Sequence, residues 1–588
     1  MSFSRSQSWI LRAAIVAVMC LSLADSVFAG TTRTSISRPN IVFIMVDDLG
    51  KEWISSYGGE NISTPHIDRL AEGGMRFLNA YSMPQCTPTR ATLLTGQYPF
   101  RHGWVNHWDV PRWGRGCHFD PGANPSLARV IKASGYNTCI AGKWQINDFR
   151  IQPDVLNQLG FDKYCMWTGY ESGIPASGQR YWNPYIYQRG GSKTHTDRFG
   201  PDICNDFLLD FLEQQTAETP FFIYYPMILT HGPLTTTPHR PKVTGRTEMH
   251  RAMVEYMDHL VGNVVSKLNE TGLRKNTILV WTTDNGTSGG QSNLMNGRLV
   301  KGAKGKTLEN GTCEPFVVNC PGVVPAGQTT DALIDFTDLL PTFAELVGSQ
   351  LPAEHVFDGH SFAPLILGND HEGPRTWILS MGGGGGTYNS AGRVINNHLY
   401  RDRVIRDRRY KLYIETDRSS AKLVDLKSDP AELNNRLNDP QLADVLTRLQ
   451  AIEKKTAGTG RLSTLFPIAG TALGYPAAET RSQNRTERPA IQCTRCRPKE
   501  KQKESGWFAK VILMQRSMTT QLLSVIAAVG MTTVCSRAET TGQPNIILMM
   551  ADDLGWGDPQ CFNPDSPIQT PHIDAMAGSG LKFTRFYS

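Results

Sequence analysis

The sequence predicts an α/β fold: one large, mostly parallel sheet sandwiched by helices, followed by a small C-terminal α+β domain with an antiparallel sheet. Three observations carry that expectation. Residues 41–46 (IVFIMV) form a continuous apolar run, as expected of a parallel strand buried on both faces. Similar runs at 137–141, 221–228 and 278–281 also end abruptly in polar residues. After about residue 375 the pattern changes to short alternating strands at 409–414 and 422–426, then a helix opened by Asp439-Pro440 with Leu442, Leu446, Leu449 and Ile452 on one face.

The strand ends are where chemistry collects. The first run stops at Asp47-Asp48, the second at Gly142-Lys143-Trp144-Gln145, the third at Thr230-His231 and the fourth at Asp284-Asn285-Gly286. Singly, each reads as a solvated turn, and Asp-Asn-Gly is an ordinary turn sequence. Open α/β sheets bind ligands beyond the carboxyl ends of their strands, so four such ends predict one shared site. Asp47, Asp48, Asp284 and Asn285 are an all-oxygen set that suits a hard cation, with the mixture of carboxylate and amide favouring Ca²⁺. Arg90, Lys143, His231 and Lys304 would line the same pocket with positive charge and one titratable imidazole, suiting an anionic ester.

The segment 86–96 (CTPTRATLLTG) reads as a helix, with Thr87 as cap, Pro88 at the first helical position and Gly96 at the end. Cys86 then stands at a helix N-terminus, where orphan amides favour an anion, and Arg90 adds a planar donor fork. An inert buried cysteine beside a structural arginine is the competing reading.

Composition narrows the rest. The chain has 588 residues, 40% hydrophobic and 19% charged, enough for more than one domain. A net charge of +6 with no dominant basic block in the first 450 residues gives no argument for nucleic acid. The 12 cysteines have no framework spacing, and Cys493-Thr494-Arg495-Cys496 lacks the second pair that a zinc site needs. Arg5 and Arg12 precede a short apolar run at 13–23, and small residues end at Ala29, so residues 1–29 read as a signal peptide and the protein as exported (periplasmic or secreted). The run is short for a membrane anchor.

Cys-x-Pro-x-Arg followed by Thr95-Gly96 resembles the signature of the type I, formylglycine-dependent sulfatases of the alkaline phosphatase superfamily. The resemblance continues in order through Pro39-Asn40, Thr64-Pro65-His66-Ile67-Asp68, Gly135-Tyr136 to Trp144, His231, Asp284-Asn285-Gly286, Lys304-Gly305 with Glu309, residues 337–342 and Asp358-Gly359, covering roughly 39–455. It implies that a maturation enzyme converts Cys86 to formylglycine, whose hydrated aldehyde attacks sulfur. It also implies that Asp47, Asp48, Asp284 and Asn285 hold Ca²⁺ together with position 86, and that Arg90 steadies the formylglycine. Lys143 and Lys304 would grip the sulfate, and His231 would protonate the leaving alcohol. The substrate implied is a sulfate ester, a sulfated carbohydrate being the class that export suits. One departure stands out: Gln145 occupies the place of a histidine in the usual Gly-Lys-Trp-His, and an amide cannot take a proton at neutral pH. His102 is a candidate auxiliary, against a purely structural role. Two alternatives remain, a phosphonate or phosphate monoester hydrolase of the same superfamily and a non-catalytic calcium-binding relative.

Residues 30–374 are therefore expected to form the catalytic domain and 375–455 the small domain. Residues 456–512, polar and basic, read as a disordered linker. Residues 513–542 resemble a second signal peptide, and 543–588 repeat the beginning: Pro544 to Gly555 matches the segment from Pro39, and Thr570-Pro571-His572-Ile573-Asp574 matches that from Thr64. With no cysteine signature in the repeat, the expectation is a fragment from a run-on reading frame or a mis-joined gene model, dispensable for catalysis.

Overall fold

The computed structural model describes residues 38–105, 119–147, 149, 152–167, 180–188, 191–383 and 399–457, and, further on, 560–561 and 569–579. The chain divides into two units, residues 1–482 and 483–588. The helix that closes the small domain runs to Ala457, two residues into the expected linker; the expected leader, the rest of the linker, the second leader and the Pro544 to Gly555 half of the repeat lie outside the described residues.

In the first unit the strands, in chain order, are β1 (Asn40–Val46), β2 (Met75–Tyr81), β3 (Asn137–Lys143), β4 (Lys163–Trp167), β5 (Tyr185–Gln188), β6 (Gly191–Thr194), β7 (Phe221–Pro226), β8 (Thr277–Thr283), β9 (Ser292–Met295), β10 (Arg298–Lys301), β11 (Cys313–Asn319), β12 (Gln328–Asp335), β13 (Ile378–Met381), β14 (Arg403–Arg406), β15 (Tyr410–Ile414) and β16 (Ser420–Asp425). Ten form one sheet in the order β12-β2-β11-β8-β1-β7-β3-β4-β5-β6. The central run β8-β1-β7-β3-β4 is wholly parallel, while β11 runs against both of its neighbours.

The continuous apolar runs are explained by what covers them. Ile41, Phe43 and Met45 face one core, shared with the helices Cys86–Thr95, Leu127–Ala133 and Leu339–Leu346; Val42, Ile44 and Val46 face the other, shared with Pro65–Glu72, Gly200–Glu213 and Arg246–Glu270. All seven residues of β1 are buried. Each fully buried large side chain contributes roughly 1.5–3 kcal/mol, so the strand carries no solvent-facing position to spare.

Two boundaries differ from the sequence expectation. The strand predicted from 137 to 141 extends through Lys143, and the one predicted to reach 228 stops at Pro226. Beyond Pro226 the chain still follows β1: Met227 donates to the Met45 carbonyl at 2.8 Å, and Asp47 donates to that of Leu229 at 2.8 Å. Thr87 is not a cap. The helix begins at Cys86, after an extended Gln85, and ends as expected at Gly96 in the left-handed region.

The small domain is a four-stranded antiparallel sheet, β13-β14-β15-β16, covered by the helix Ala443–Ala457. Its core includes Met83 and Tyr98 from the segments flanking the Cys86 helix. Lys411, fully buried, lies 2.9 Å from both Glu309 and Glu432, and Ser380 donates to the Ser82 carbonyl at 2.9 Å. The described cysteines are all free thiols.

In the second unit, the repeat reproduces a local motif. The Thr570 hydroxyl accepts from the Gln560 amide (3.0 Å) and Asp574 from the Cys561 amide (2.7 Å). Thr64 and Asp68 hold Ser55 and Ser56 in the same way, at 3.1 and 2.9 Å. The packing is not reproduced: Ile67 is fully buried, whereas its counterpart Ile573 is 36% exposed.

Gly142, at φ +126°, lets β3 press against the end of β7, because a Cβ there would sit 1.9 Å from the Pro226 carbonyl oxygen. Gly142→Ala is expected to lower stability by about 2 kcal/mol or more. A urea midpoint equal to that of the parent would contradict this close approach.

Candidate active site

β8, β1, β7 and β3 are neighbours and parallel, so their carboxyl ends open on one edge. Backbone bonds lock the segments beyond them into register. Asp284 donates to the Val46 carbonyl at 2.9 Å, and Thr230 to that of Asp47 at 2.7 Å. The predicted residues meet here. Lys143 Nζ lies 2.6 Å from Asp47 Oδ2, and Lys304 Nζ donates to Asp48 Oδ2 at 2.7 Å. Asn285 Nδ2 donates to Asp48 Oδ1 at 2.8 Å, and His231 Nε2 stands 3.6 Å from Asp48 Oδ2.

Arg90, four residues into its helix, reaches down to Asp284 through Nε (3.2 Å) and NH2 (2.7 Å), both to Oδ2, and through NH1 to the Lys143 carbonyl (3.0 Å). Cys86 is 3% exposed, and its Sγ donates to Gln145 Oε1 at 3.6 Å. The side chains of His231 (26% exposed) and Lys304 (23%) mark the open side, because Asp47, Asp48, Arg90, Lys143, Asp284 and Asn285 are all buried.

The charges nearly cancel: three carboxylates (Asp47, Asp48, Asp284) face three cations (Arg90, Lys143, Lys304). Burial alone would raise Asp47, but Lys143, His231, Arg90 and Lys304 outweigh it and hold the carboxyl far below its usual range. Asp48 is likewise lowered, burial being overcome chiefly by Lys304. Burial and Asp47 push Asp284 up to about 7, but Arg90 is itself raised well above its ordinary value by Asp284, so the proton stays on the guanidinium. His231 is pushed down to about 3, by burial first and Lys304 second, so its resting imidazole is neutral.

Two members are held in unusual backbone. Asp48 (φ +62°) and Gln145 (φ +59°) are left-handed without being glycine, a conformation that surrounding contacts must maintain. A cation also fits the donor set. Asp47 Oδ1 and Asn285 Oδ1 are buried with no hydrogen-bond donor, and Asp47, Cys86 and Asp284 offer ligand atoms within 4.8 Å of one another, as do Asp47, Asp48 and His231. Orphaned oxygens of this kind suit a hard ion.

Over residues 39–349 the chain matches the family model described as Sulfatase, and over 304–457 that of N-sulphoglucosamine sulphohydrolase, C-terminal. The chain belongs to the sulfatase family. It is a type I sulfatase of the alkaline phosphatase superfamily, a group of sulfuric ester hydrolases. It is 31% identical to N-acetylgalactosamine-6-sulfatase of Canis lupus familiaris, 30% to arylsulfatase G of Mus musculus and 32% to arylsulfatase A of Bos taurus. These matches take in 56%, 64% and 56% of this chain and 66%, 77% and 68% of the relatives' lengths. The fold is shared with Ps i-CgsB (TM-score 0.60, 24% identity, 72% of this chain and 93% of that one). It is also shared with the phosphonate monoester hydrolase of Agrobacterium radiobacter (0.54, 19%, 72% and 96%).

In this sulfatase the candidate auxiliary His102 is a structural residue. It is buried, bonded to the Thr92 hydroxyl (3.1 Å) and the Trp104 amide (3.1 Å), and pushed by burial to about 3. Sequence reasoning missed Arg180, Tyr181 and Tyr224. Arg180 NH1 lies 2.9 Å from His231 Nδ1, Tyr181 donates to the His231 carbonyl, and Tyr224 lies inside β7 close enough to influence Arg90. The first two follow no strand end, and Tyr224 reads as core.

Removing Arg90 leaves Asp284 buried without its counter-ion. Arg90→Ala is therefore expected to destabilise the fold by about 3–5 kcal/mol; Lys304→Ala also strips a counter-ion from a buried carboxylate, Asp48, but at the open side where water can reach it, and should cost less than Arg90→Ala. Equal urea midpoints for the two variants would contradict this assignment of burial.

Proposed function

We propose that this protein is an exported sulfatase that hydrolyses sulfate esters of a carbohydrate, with formylglycine at position 86 and Ca²⁺ as its cation. The observation that carries the reading is Cys86, at the start of a helix whose Arg90 binds the same Asp284 that offers a ligand atom alongside Asp47. The carbohydrate is suggested by relatives named for sugar sulfates, among them the N-acetylgalactosamine-6-sulfatase and the N-sulphoglucosamine sulphohydrolase family. Among the described residues no helix is long and apolar enough to cross a membrane.

A bound Ca²⁺ would supply Lewis-acid stabilisation of the charge that develops on the sulfuryl oxygens. Asp47, Asp48, Asp284 and Asn285 would hold it. The Cys86 thiol marks where the nucleophile would stand: converted to formylglycine, position 86 offers one hydroxyl of a hydrated aldehyde to attack sulfur and a second to expel sulfate afterwards. Lys143 and Lys304, on either side of the carboxylates, would bind sulfate oxygens and neutralise the ester's charge. His231, neutral and at the open side, would donate through Nε2 to the oxygen that leaves. As the bond from sulfur to the sugar oxygen breaks and the bond to position 86 forms, the attacking hydroxyl's proton would pass to solvent water and the leaving oxygen, hydrogen-bonded to Nε2–H, would take one from solvent, so that His231 ends neutral and the exchange balances. Gln145 would position the nucleophile through its carbonyl oxygen and cannot serve as a base.

Every residue given a role lies between Asp47 and Lys304, so the repeat beyond residue 543 has no part in the reaction.

Protein made together with the maturation enzyme should show, by peptide mass spectrometry, loss of the thiol and gain of an aldehyde or its hydrate at position 86. It should cleave aryl sulfate faster than aryl phosphonate, and Cys86→Ala should abolish turnover. An active preparation carrying only unmodified cysteine would overturn the mechanism, and faster cleavage of phosphonate would reassign the substrate class.

A further inference from the structure

We propose that Arg180 is a positioning residue that fixes the tautomer of His231, a role that rests on the sulfate-ester reading above. The argument starts from hydrogen-bond capacity. A guanidinium only donates, so Arg180 NH1, 2.9 Å from His231 Nδ1, requires a lone pair on that nitrogen. In a neutral imidazole the proton then resides on Nε2, the nitrogen 3.6 Å from Asp48 Oδ2 and therefore turned toward the reacting groups. A competing partner exists. The Gly232 carbonyl lies 2.7 Å from the same Nδ1 and would take a proton from it, leaving Nε2 bare. Nδ1 serves one of these partners in any one tautomer, and Arg180 selects the productive one.

The guanidinium is well placed to do this. It lies over the Trp167 indole, 4.1 Å from the ring centroid, and Trp167 is the register partner of Lys143 across β3 and β4. Stacking on an aromatic face holds the donor plane in a way an ammonium could not reproduce. Tyr181, the next residue, donates to the carbonyls of His231 and, at 3.2 Å, of Ile228, so the histidine's backbone is fixed from the same segment.

The consequence depends on the leaving group. A sugar alkoxide is a poor leaving group and needs the Nε2 donor, whereas an activated aryl oxide departs almost unaided. The full chain, matured at position 86, would be assayed as parent, Arg180→Ala and Arg180→Lys on aryl sulfates of graded acidity and on an alkyl sulfate. Arg180→Ala should lose kcat about 100-fold on the alkyl ester and no more than about threefold on the most activated aryl ester, with KM little changed. Added guanidinium should restore part of the alkyl rate, and Arg180→Lys should recover less than the parent. A loss uniform across the series, or confined to KM, would overturn the proposal.

A second measurement does not depend on turnover. ¹⁵N NMR of the histidines, with His231 assigned by His231→Gln among the 14, should show Nε2–H in the parent and a shift toward Nδ1–H in Arg180→Ala. An unchanged tautomer would overturn the proposal even where activity falls. If the parent cleaves no sulfate ester, the substrate reading fails, while the tautomer result still decides the role of Arg180.

Discussion

Three carboxylates brought together away from water repel one another, and the architecture around this site follows from cancelling that repulsion. Asp47 and Asp48 come from β1, Asp284 from β8, and each has a cation from a different element: Lys143 from β3, Lys304 from the segment after β10, and Arg90 from a helix. An isolated buried charge costs several kcal/mol, and a paired one is tolerable only with good geometry and further hydrogen bonds. The close contacts at 2.6–2.7 Å meet that condition, and so does the Asp48 amide, which donates to Asp284 Oδ1 at 3.1 Å. A parallel sheet delivers such a cluster because its strand ends share one edge. The two cores on either side hold the strands in register.

The same cancellation sets the chemistry. With anions and cations matched among the protein's own groups, an added divalent cation would leave the pocket net positive, and a sulfate ester brings negative charge. His231 and Lys304 occupy the open side, where an incoming ester would meet them first. Deeper in, the left-handed backbone of Asp48 and Gln145 turns one side chain to Lys304 and the other to Cys86, at a local cost that buried neighbours offset. The small domain reaches this region indirectly. Its core takes in Met83 and Tyr98, which bracket the helix carrying Cys86 and Arg90, so its packing supports the placement of that helix.

Much of this was legible in the sequence for specific reasons. A strand buried on both faces leaves an unbroken apolar run, and 41–46 showed one; a ligand site at a sheet edge leaves polar residues where such a run stops, and all four did. Local capping was misread because Thr87 has the right chemistry but lies inside the first turn, where its hydroxyl turns to the Gln145 carbonyl at 3.5 Å. Arg180 and Tyr181 were invisible because their importance comes from a long-range approach to His231, unmarked by any periodicity. The repeat shows the limit from the other side. Thr570 and Asp574 recreate the hydrogen bonds of Thr64 and Asp68, which are local, while the burial of Ile67 depends on distant partners and is not recreated at Ile573.

The central claim is that two neighbouring strand ends, those after β1 and β8, supply the ligands of a hard cation within the site that four strand ends share. Thermal unfolding of the full chain, followed while Ca²⁺ is titrated, tests it most directly. Binding to the folded state alone should raise the transition, by about 2.7 kcal/mol at a hundredfold excess over the dissociation constant. Asp47→Asn and Asp284→Asn, which remove ligand charge from two different strands, should each abolish that rise. A transition indifferent to Ca²⁺ in the parent, or raised equally in both variants, would contradict the account.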